Sequence, residues 1–218
     1  MNRDAPDVAS YDEEYFRRLY GEVPEQSRFD RGRDARIARL VERYATPADG
    51  RALLDVGCGL GYLLERFRGR FGLFGVELSG HAGPLAARRL PQASIVQADV
   101  QRRLPFREAF DIVLAVNVIE HLADPEAAVA GMRAILRPGG LCVVHLPTIN
   151  GPVSRAVYRL FYAGDPTHVY RPSGRDVGRL FERHGFETLH HSHAPHVPGW
   201  LWRAVRWNPA FLAAFRRR

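Results

Sequence analysis

Lysine is absent: all 31 basic residues of this 218-residue chain are arginine, against 24 aspartates and glutamates, for a formal charge of +7. So complete a skew reflects codon composition rather than selection for a polyanionic partner. The arginines are also spread along the chain, apart from Arg216-Arg217-Arg218, where a dedicated nucleic-acid surface would gather them. Cysteine is scarce, with only Cys58 and Cys142. Two such residues in apolar surroundings are expected to be reduced small side chains, as in a cytoplasmic protein, and exclude a disulfide framework. No run approaches the roughly 18–20 apolar residues of a membrane span. Met1-Asn2-Arg3-Asp4-Ala5-Pro6 lacks the apolar core of a signal peptide. No internal repeat or low-complexity segment occurs. With 46% hydrophobic residues, the chain can build one full core, and the expectation is one domain over 1–218.

What is present is concentrated in Leu53-Leu54-Asp55-Val56-Gly57-Cys58-Gly59-Leu60-Gly61. This is a short apolar strand with an acid near its end, followed by a glycine-rich turn that opens into a helix at Tyr62. Glycines at alternate positions permit positive φ and let a ligand approach where a Cβ would block it. Asp55, Glu77 and Asp99 are placed at the carboxyl ends of three successive strands, which converge on one crevice in an open α/β sheet. Glu77 follows the turn by about 20 residues, the separation of an acid that accepts ribose hydroxyls. A dinucleotide would bring a doubly negative pyrophosphate into this acidic crevice. S-adenosylmethionine carries a sulfonium, an ammonium and no phosphate, so Coulomb's law favours it. Tyr62 also replaces the third glycine of G-x-G-x-x-G, and no G-K-[ST] phosphate loop is found.

The stretches LLDVGCGLGYLL (53–64), GVELS (75–79), QADV (97–100), FDIVLAVNVIEHLADP (110–125) and LRPGGLCVVHLP (136–147) resemble the class I S-adenosylmethionine-dependent methyltransferases in order and spacing. The resemblance covers about half the chain. It implies that Asp55, Gly57, Cys58 and Gly59 lie along the methionine portion of the cofactor, with Gly61 close by. Glu77 would take the ribose hydroxyls and Leu78 would pack on the adenine. Asp99 would accept the adenine amino group beside the Val100 backbone, and Asn117 would lie near the methionine end. The implied acceptor is a small molecule, a glycan or a lipid-linked compound, methylated at oxygen. An RNA-modifying enzyme and a non-catalytic S-adenosylmethionine-binding protein are the alternatives. The Asn-Pro-Pro-aromatic pattern of enzymes acting on base nitrogens is missing at Asn117-Val118-Ile119-Glu120.

Apolar runs at 52–56, 72–77, 94–98, 110–116 and 141–146 alternate with helical patterns, which predicts a Rossmann-like, doubly wound and mostly parallel α/β sheet. Residues 1–48 are expected to form an N-terminal helical lid, with Ile37, Leu40, Val41 and Tyr44 at helical spacing. Residues 49–193 would be the cofactor-binding core. Asp124-Pro125 caps a helix burying Val129, Met132, Ile135 and Leu136. A further helix starts near Ser173 and stops at Gly185, and Phe186–His191 is a sixth strand. Residues 194–218 are expected to be a helical tail, with no seventh strand discernible.

Two histidines, His121 just past the fourth strand and His168 in Asp165-Pro166-Thr167-His168-Val169, are the candidate bases for removing an acceptor proton. Quinone-pathway O-methyltransferases carry E-x-x-E-H at the first of these places and bind a divalent cation there. Asn117 replaces the first carboxylate, so no metal is expected. His190, His191, His193 and His196 are expected to be a solvated strand end, since adjacent strand residues point to opposite faces. In the tail, Trp200, Trp202 and Trp207 beside arginines suggest either peripheral membrane contact through 198–218 or a helix folded on the sheet.

Overall fold

The computed structural model describes residues 6–21, 25–45, 52–102, 104–107, 110–193 and 210–218. Among the described residues, seven strands form one sheet in the order β3-β2-β1-β4-β5-β7-β6. They are β1 (Ala52–Val56), β2 (Gly72–Glu77), β3 (Ser94–Gln97), β4 (Phe110–Val116), β5 (Leu136–Pro147), β6 (Phe186–Ser192) and β7 (Ala210–Arg217). The first five strands pair in parallel, while β7 runs antiparallel to both β5 and β6. The predicted α/β sheet is therefore present, and it is mixed rather than purely parallel.

Helices flank the strands: α1 (Glu13–Tyr20), α2 (Arg28–Tyr44), α3 (Tyr62–Glu65), α4 (Ala82–Arg89), α5 (Pro125–Ile135), α6 (Pro152–Phe161) and α7 (Gly174–Arg183). Their starts follow local chemistry. Asp124 accepts the Ala127 N–H with Pro125 at the first helical position, and Ser173 with Asp176 forms a capping box for α7. Buried side chains divide into two main clusters. One contains Val129, Met132, Val177 and Phe181, and the other Ile37, Val41, Leu64 and Leu90.

The C-terminal segment corrects the sequence reading. Phe211, Leu212 and Phe215 have helical spacing, yet Ala210–Arg217 is a strand lying between β5 and β6. A strand with neighbours on both edges and both faces covered shows a continuous apolar run, and periodicity alone does not separate that from a buried helix. Residues Ala210 to Phe215 are all buried. That part of 198–218 is sheet interior and offers no membrane contact, and 194–209 lie outside the described residues. Around the end of β6, His191 and His193 contact Phe211 while His190 contacts Tyr44; only His191 of the three is exposed, His190 and His193 being half-buried, and His196 lies outside the described residues.

Candidate active site

The turn after β1 is shaped by three glycines in the left-handed region, Gly57, Gly59 and Gly61. The Gly57 and Cys58 N–H groups both donate to the Val76 carbonyl, at 2.7 and 3.0 Å, tying the turn to β2. The three glycines are there for different reasons. A Cβ on Gly57 would run into Val118, and one on Gly61 would press on Leu90 and Ala86 at 3.2 and 3.3 Å. Gly59 has only Phe16 nearby, at 3.9 Å, so its bare backbone faces open space.

That space is a cavity of about 390 Å³. Its walls include Asp55, Gly57, Cys58, Gly59, Glu77, Leu78, Asp99, Val100, Asn117, His121 and His168, which are the sequence-predicted site residues apart from Gly61. Gly61 serves the packing of the turn on α4 instead. The convergence follows from topology, since β1, β2, β3 and β4 all end at one edge of the sheet.

Glu77 is 7% exposed and accepts the N–H groups of Gly59 at 2.7 Å and Ser79 at 2.8 Å. Burial raises its carboxyl pKa, and those backbone donors oppose the rise. Asp55 is held well above the ordinary carboxylate range by burial, with Asp34 and Glu77 adding to it. Its Oδ1 is buried without a hydrogen-bond partner. Three carboxyls in so small a volume repel one another, and the arrangement is suited to a cationic guest.

The helix α2 supplies what the sequence reading did not single out. Arg33 contacts Asp34 and Asp30, at 2.9 and 2.8 Å, with only 12% of its side chain exposed. Arg33, Asp30 and Asp34 all line the cavity. Arg33 and Asp34 precede Ile37 by four and three residues, so they continue the buried stripe of Ile37, Leu40 and Val41. That continuation was the available signal. A second wall comes from the N-terminal segment: Tyr11, Tyr15, Phe16 and Tyr20 form a chain of ring contacts at 5.2, 5.4 and 6.3 Å.

At the far end, His121 and His168 face each other with ring centroids 4.8 Å apart. His121 Nδ1 lies 2.8 Å from Thr167 Oγ1, and His168 Nδ1 lies 2.9 Å from the Tyr158 hydroxyl. Tyr15 donates to Asp165 Oδ2 at 3.2 Å, joining the N-terminal segment to the segment after α6. Burial lowers the pKa of both histidines, His168 adding to the fall at His121 and Arg171 to the fall at His168, while Asp165 opposes both. Both imidazoles are therefore neutral at pH 7 and able to accept a proton.

A methyltransferase-domain family model matches residues 29–191. The chain belongs to the methyltransferase family. Among its relatives, the ubiquinone biosynthesis O-methyltransferase of Bradyrhizobium sp. is 39% identical over 120 residues, covering 51% of this chain and 47% of that protein. The chain thus spans about half the length of the curated relatives it matches. A TehB-like S-adenosylmethionine-dependent methyltransferase from Corynebacterium glutamicum superposes with a TM-score of 0.65 at 20% identity, covering 94% of this chain and 95% of that one. A geranyl diphosphate methyltransferase solved with S-adenosylmethionine gives 0.67 at 19% identity over 85% of each chain. At such identities the two structures establish the class I methyltransferase fold.

Within this methyltransferase fold, Asn117 also has a structural partner. Its backbone takes a left-handed φ of 55°, and its Oδ1 contacts His145 Nδ1 at 2.7 Å, on β5. It lines the cavity with its side chain committed to the neighbouring strand. Ligand-type atoms of Glu120, His121 and His168 lie within 4.8 Å of one another. Glu120 is the one carboxyl among them, and burial pushes its pKa up to about 8. A hard dication such as Mg²⁺ leans on several oxygen ligands, and this trio offers a single carboxyl.

Proposed function

We propose that this chain transfers a methyl group from S-adenosylmethionine to the oxygen of a small-molecule or lipid-linked acceptor. The observation that carries the reading is the cavity in which bare Gly59, doubly held Glu77, orphaned Asp55 and buried Arg33 meet the histidine pair. The residues fit the cofactor piece by piece. Glu77 spends one acceptor position of each oxygen on backbone N–H groups, and a carboxylate oxygen has a second to offer a ribose hydroxyl. Arg33 offers its guanidinium to the carboxylate of the methionine end, and the carboxyl oxygens of Asp55 and Asp34 are acceptors for its ammonium. Leu78, Asp99 and Val100 form the adenine side. When bound, the cofactor supplies an electrophilic methyl on sulfur.

The protein's part is positioning, desolvation and proton management. The aromatic wall of Tyr11, Tyr15 and Phe16 excludes water, which strengthens every electrostatic contact inside. Holding acceptor oxygen and methyl carbon in line converts an encounter into an intramolecular step. His121 or His168 takes the acceptor's proton. Phe161 lines the cavity while 72% exposed, and its neighbour Leu160 is 76% exposed, which supports an apolar acceptor entering by α6. The relatives named for ubiquinone biosynthesis support the same acceptor class. No helix among the described residues is long and apolar enough to cross a membrane. Peripheral membrane contact through 198–209 belongs to this proposal and falls outside the described residues.

Methyl-tritiated S-adenosylmethionine incubated with a panel of phenols, catechols, isoprenoid-linked phenols and total RNA tests the reading. Label is expected in a hydroxylated small molecule or lipid. Label in RNA alone, or slow hydrolysis without transfer to any class, would refute it.

A further inference from the structure

The two histidines differ in what holds their Nδ1 atoms, and the difference fixes which ring nitrogen carries the proton. A threonine hydroxyl has one proton to give and two lone pairs. Thr167 Oγ1 donates to Asp165 Oδ1, the oxygen that also accepts the Thr167 backbone N–H at 2.9 Å. A carboxylate only accepts, so the hydroxyl proton is spent there. Toward His121 Nδ1, 2.8 Å away, the same hydroxyl can then only accept. His121 Nδ1 must carry hydrogen, and its Nε2 keeps the lone pair. The reverse arrangement would press two oxygens together, half-buried, with no proton between them.

His168 is held the other way. The Tyr158 hydroxyl beside its Nδ1 also interacts with the Arg171 guanidinium, which only donates. The single phenolic proton therefore turns to His168 Nδ1. His168 carries its own proton on Nε2, which lies 3.7 Å from Asp165 Oδ2.

We propose that Asp165 and Thr167 hold His121 as the Nδ1–H tautomer, making His121 Nε2 the atom that accepts the acceptor's hydroxyl proton, with Thr167 as the positioning residue between carboxylate and ring. This rests on the methyl-transfer reading above. In the balanced step, the acceptor oxygen bonds to the methyl carbon as the carbon–sulfur bond breaks. The breaking pair stays on sulfur, and the hydroxyl proton passes to His121 Nε2. The imidazolium so formed is stabilised by Asp165 through Thr167, as a triad carboxylate stabilises its histidine. Glu120 on the same turn, His168 and Asp165 on the segment after α6, and Tyr11 from the N-terminal segment all face this ring. Burial keeps Glu120, His168 and Tyr11 in their neutral forms at pH 7, so Asp165 is the charged member. His168, with its ring proton on the other nitrogen, orients Asp165 and is not the base.

Long-range ¹H–¹⁵N correlation spectra of the ¹⁵N-labelled full chain at pH 7.5, with and without S-adenosylhomocysteine, test the assignment. The histidine signals are identified by their loss in His121→Asn and His168→Asn. His121 is expected to be protonated at Nδ1 and His168 at Nε2. Thr167→Ser should keep the His121 pattern and Thr167→Val should abolish it while leaving His168 unchanged. A wild-type His121 protonated at Nε2, or averaged between the two forms, would overturn the proposal, as would a pattern indifferent to Thr167→Val. With catechol as methyl acceptor, His121→Asn should lower kcat by about 100-fold or more and His168→Asn by less than about 10-fold. Equal losses would overturn the base assignment. Absence of transfer to any hydroxylated acceptor of the panel by a wild type with these tautomers would overturn the base role together with the methyl-transfer reading, whereas transfer with the wrong tautomers would overturn this proposal alone.

Discussion

Glu120 offers a prediction whose size follows from its surroundings. It is 1% exposed, on the single turn Ile119–His121, and neither carboxyl oxygen has a hydrogen-bond partner. Burial, reinforced by Asp165, pushes its pKa from the ordinary 4.5 up to about 8. The native state therefore keeps a proton that the unfolded chain has already lost. Where the native state binds more protons, stability falls as pH rises. The contribution is fully present below about pH 4.5 and is lost progressively as pH climbs through 8. At about 1.36 kcal/mol per pH unit, the gap is worth roughly 3–5 kcal/mol. Glu120→Gln keeps the shape and removes the titration. Between pH 5 and pH 8.5 the variant should gain a few kcal/mol relative to the wild type, a change in their Tm difference on the order of 10 °C for a chain this size. Urea and thermal denaturation of both proteins at pH 5, 6, 7 and 8.5 measure the difference. Burial of the amide adds an offset at every pH and leaves the slope untouched. Parallel stability curves across this range would refute the reasoning.

Glu77→Gln replaces one acceptor oxygen with a donor that must face the Gly59 or the Ser79 N–H, and it removes the charge offered to ribose. Loss of charge-assisted hydrogen bonds at about 1.5–3 kcal/mol should weaken S-adenosylhomocysteine by roughly 10- to 150-fold in a calorimetric titration. Gly57→Ala and Gly59→Ala should fail differently. The first forces a methyl into Val118 and should lower Tm by many degrees. The second has room in the fold, should cost about 1 kcal/mol of stability for its left-handed backbone, and should lose cofactor affinity because it fills the approach. Dialysis against EDTA should leave methyl transfer within about twofold, and a loss restored by an added divalent cation would contradict proton transfer to His121 without a metal.

The cavity wall around the glycine turn was legible because its residues are local. Asp55, Gly57 and Gly59 belong to one strand–turn–helix unit, and Glu77 and Asp99 belong to the next strand ends, so parallel-sheet topology brings them together. Even there, Gly61, expected close by the cofactor, is constrained by its packing on Leu90 and Ala86. Arg33 and Asp34 were less legible because a charged pair inside an amphipathic helix reads as solvated until the stripe of Ile37, Leu40 and Val41 is followed back onto them. The link from Tyr15 to Asp165 spans 150 residues, and no local pattern carries it. The Asp165 to His168 segment stood out in sequence through its histidine, yet the roles of Asp165 and Thr167 required seeing which atoms they share. The last strand was misread for the opposite reason. Ala210–Arg217 is so completely enclosed that it lost the alternation by which strands are recognised.

Calorimetric titration of the purified chain with S-adenosylmethionine, S-adenosylhomocysteine and NADH tests the central claim most directly, with Glu77→Gln in parallel. The acidic cavity, in a chain without a G-K-[ST] phosphate loop, predicts micromolar binding of the first two ligands, weakened in the variant, and no heat from NADH. Binding of NADH alone, or equal binding of all three, would contradict the account.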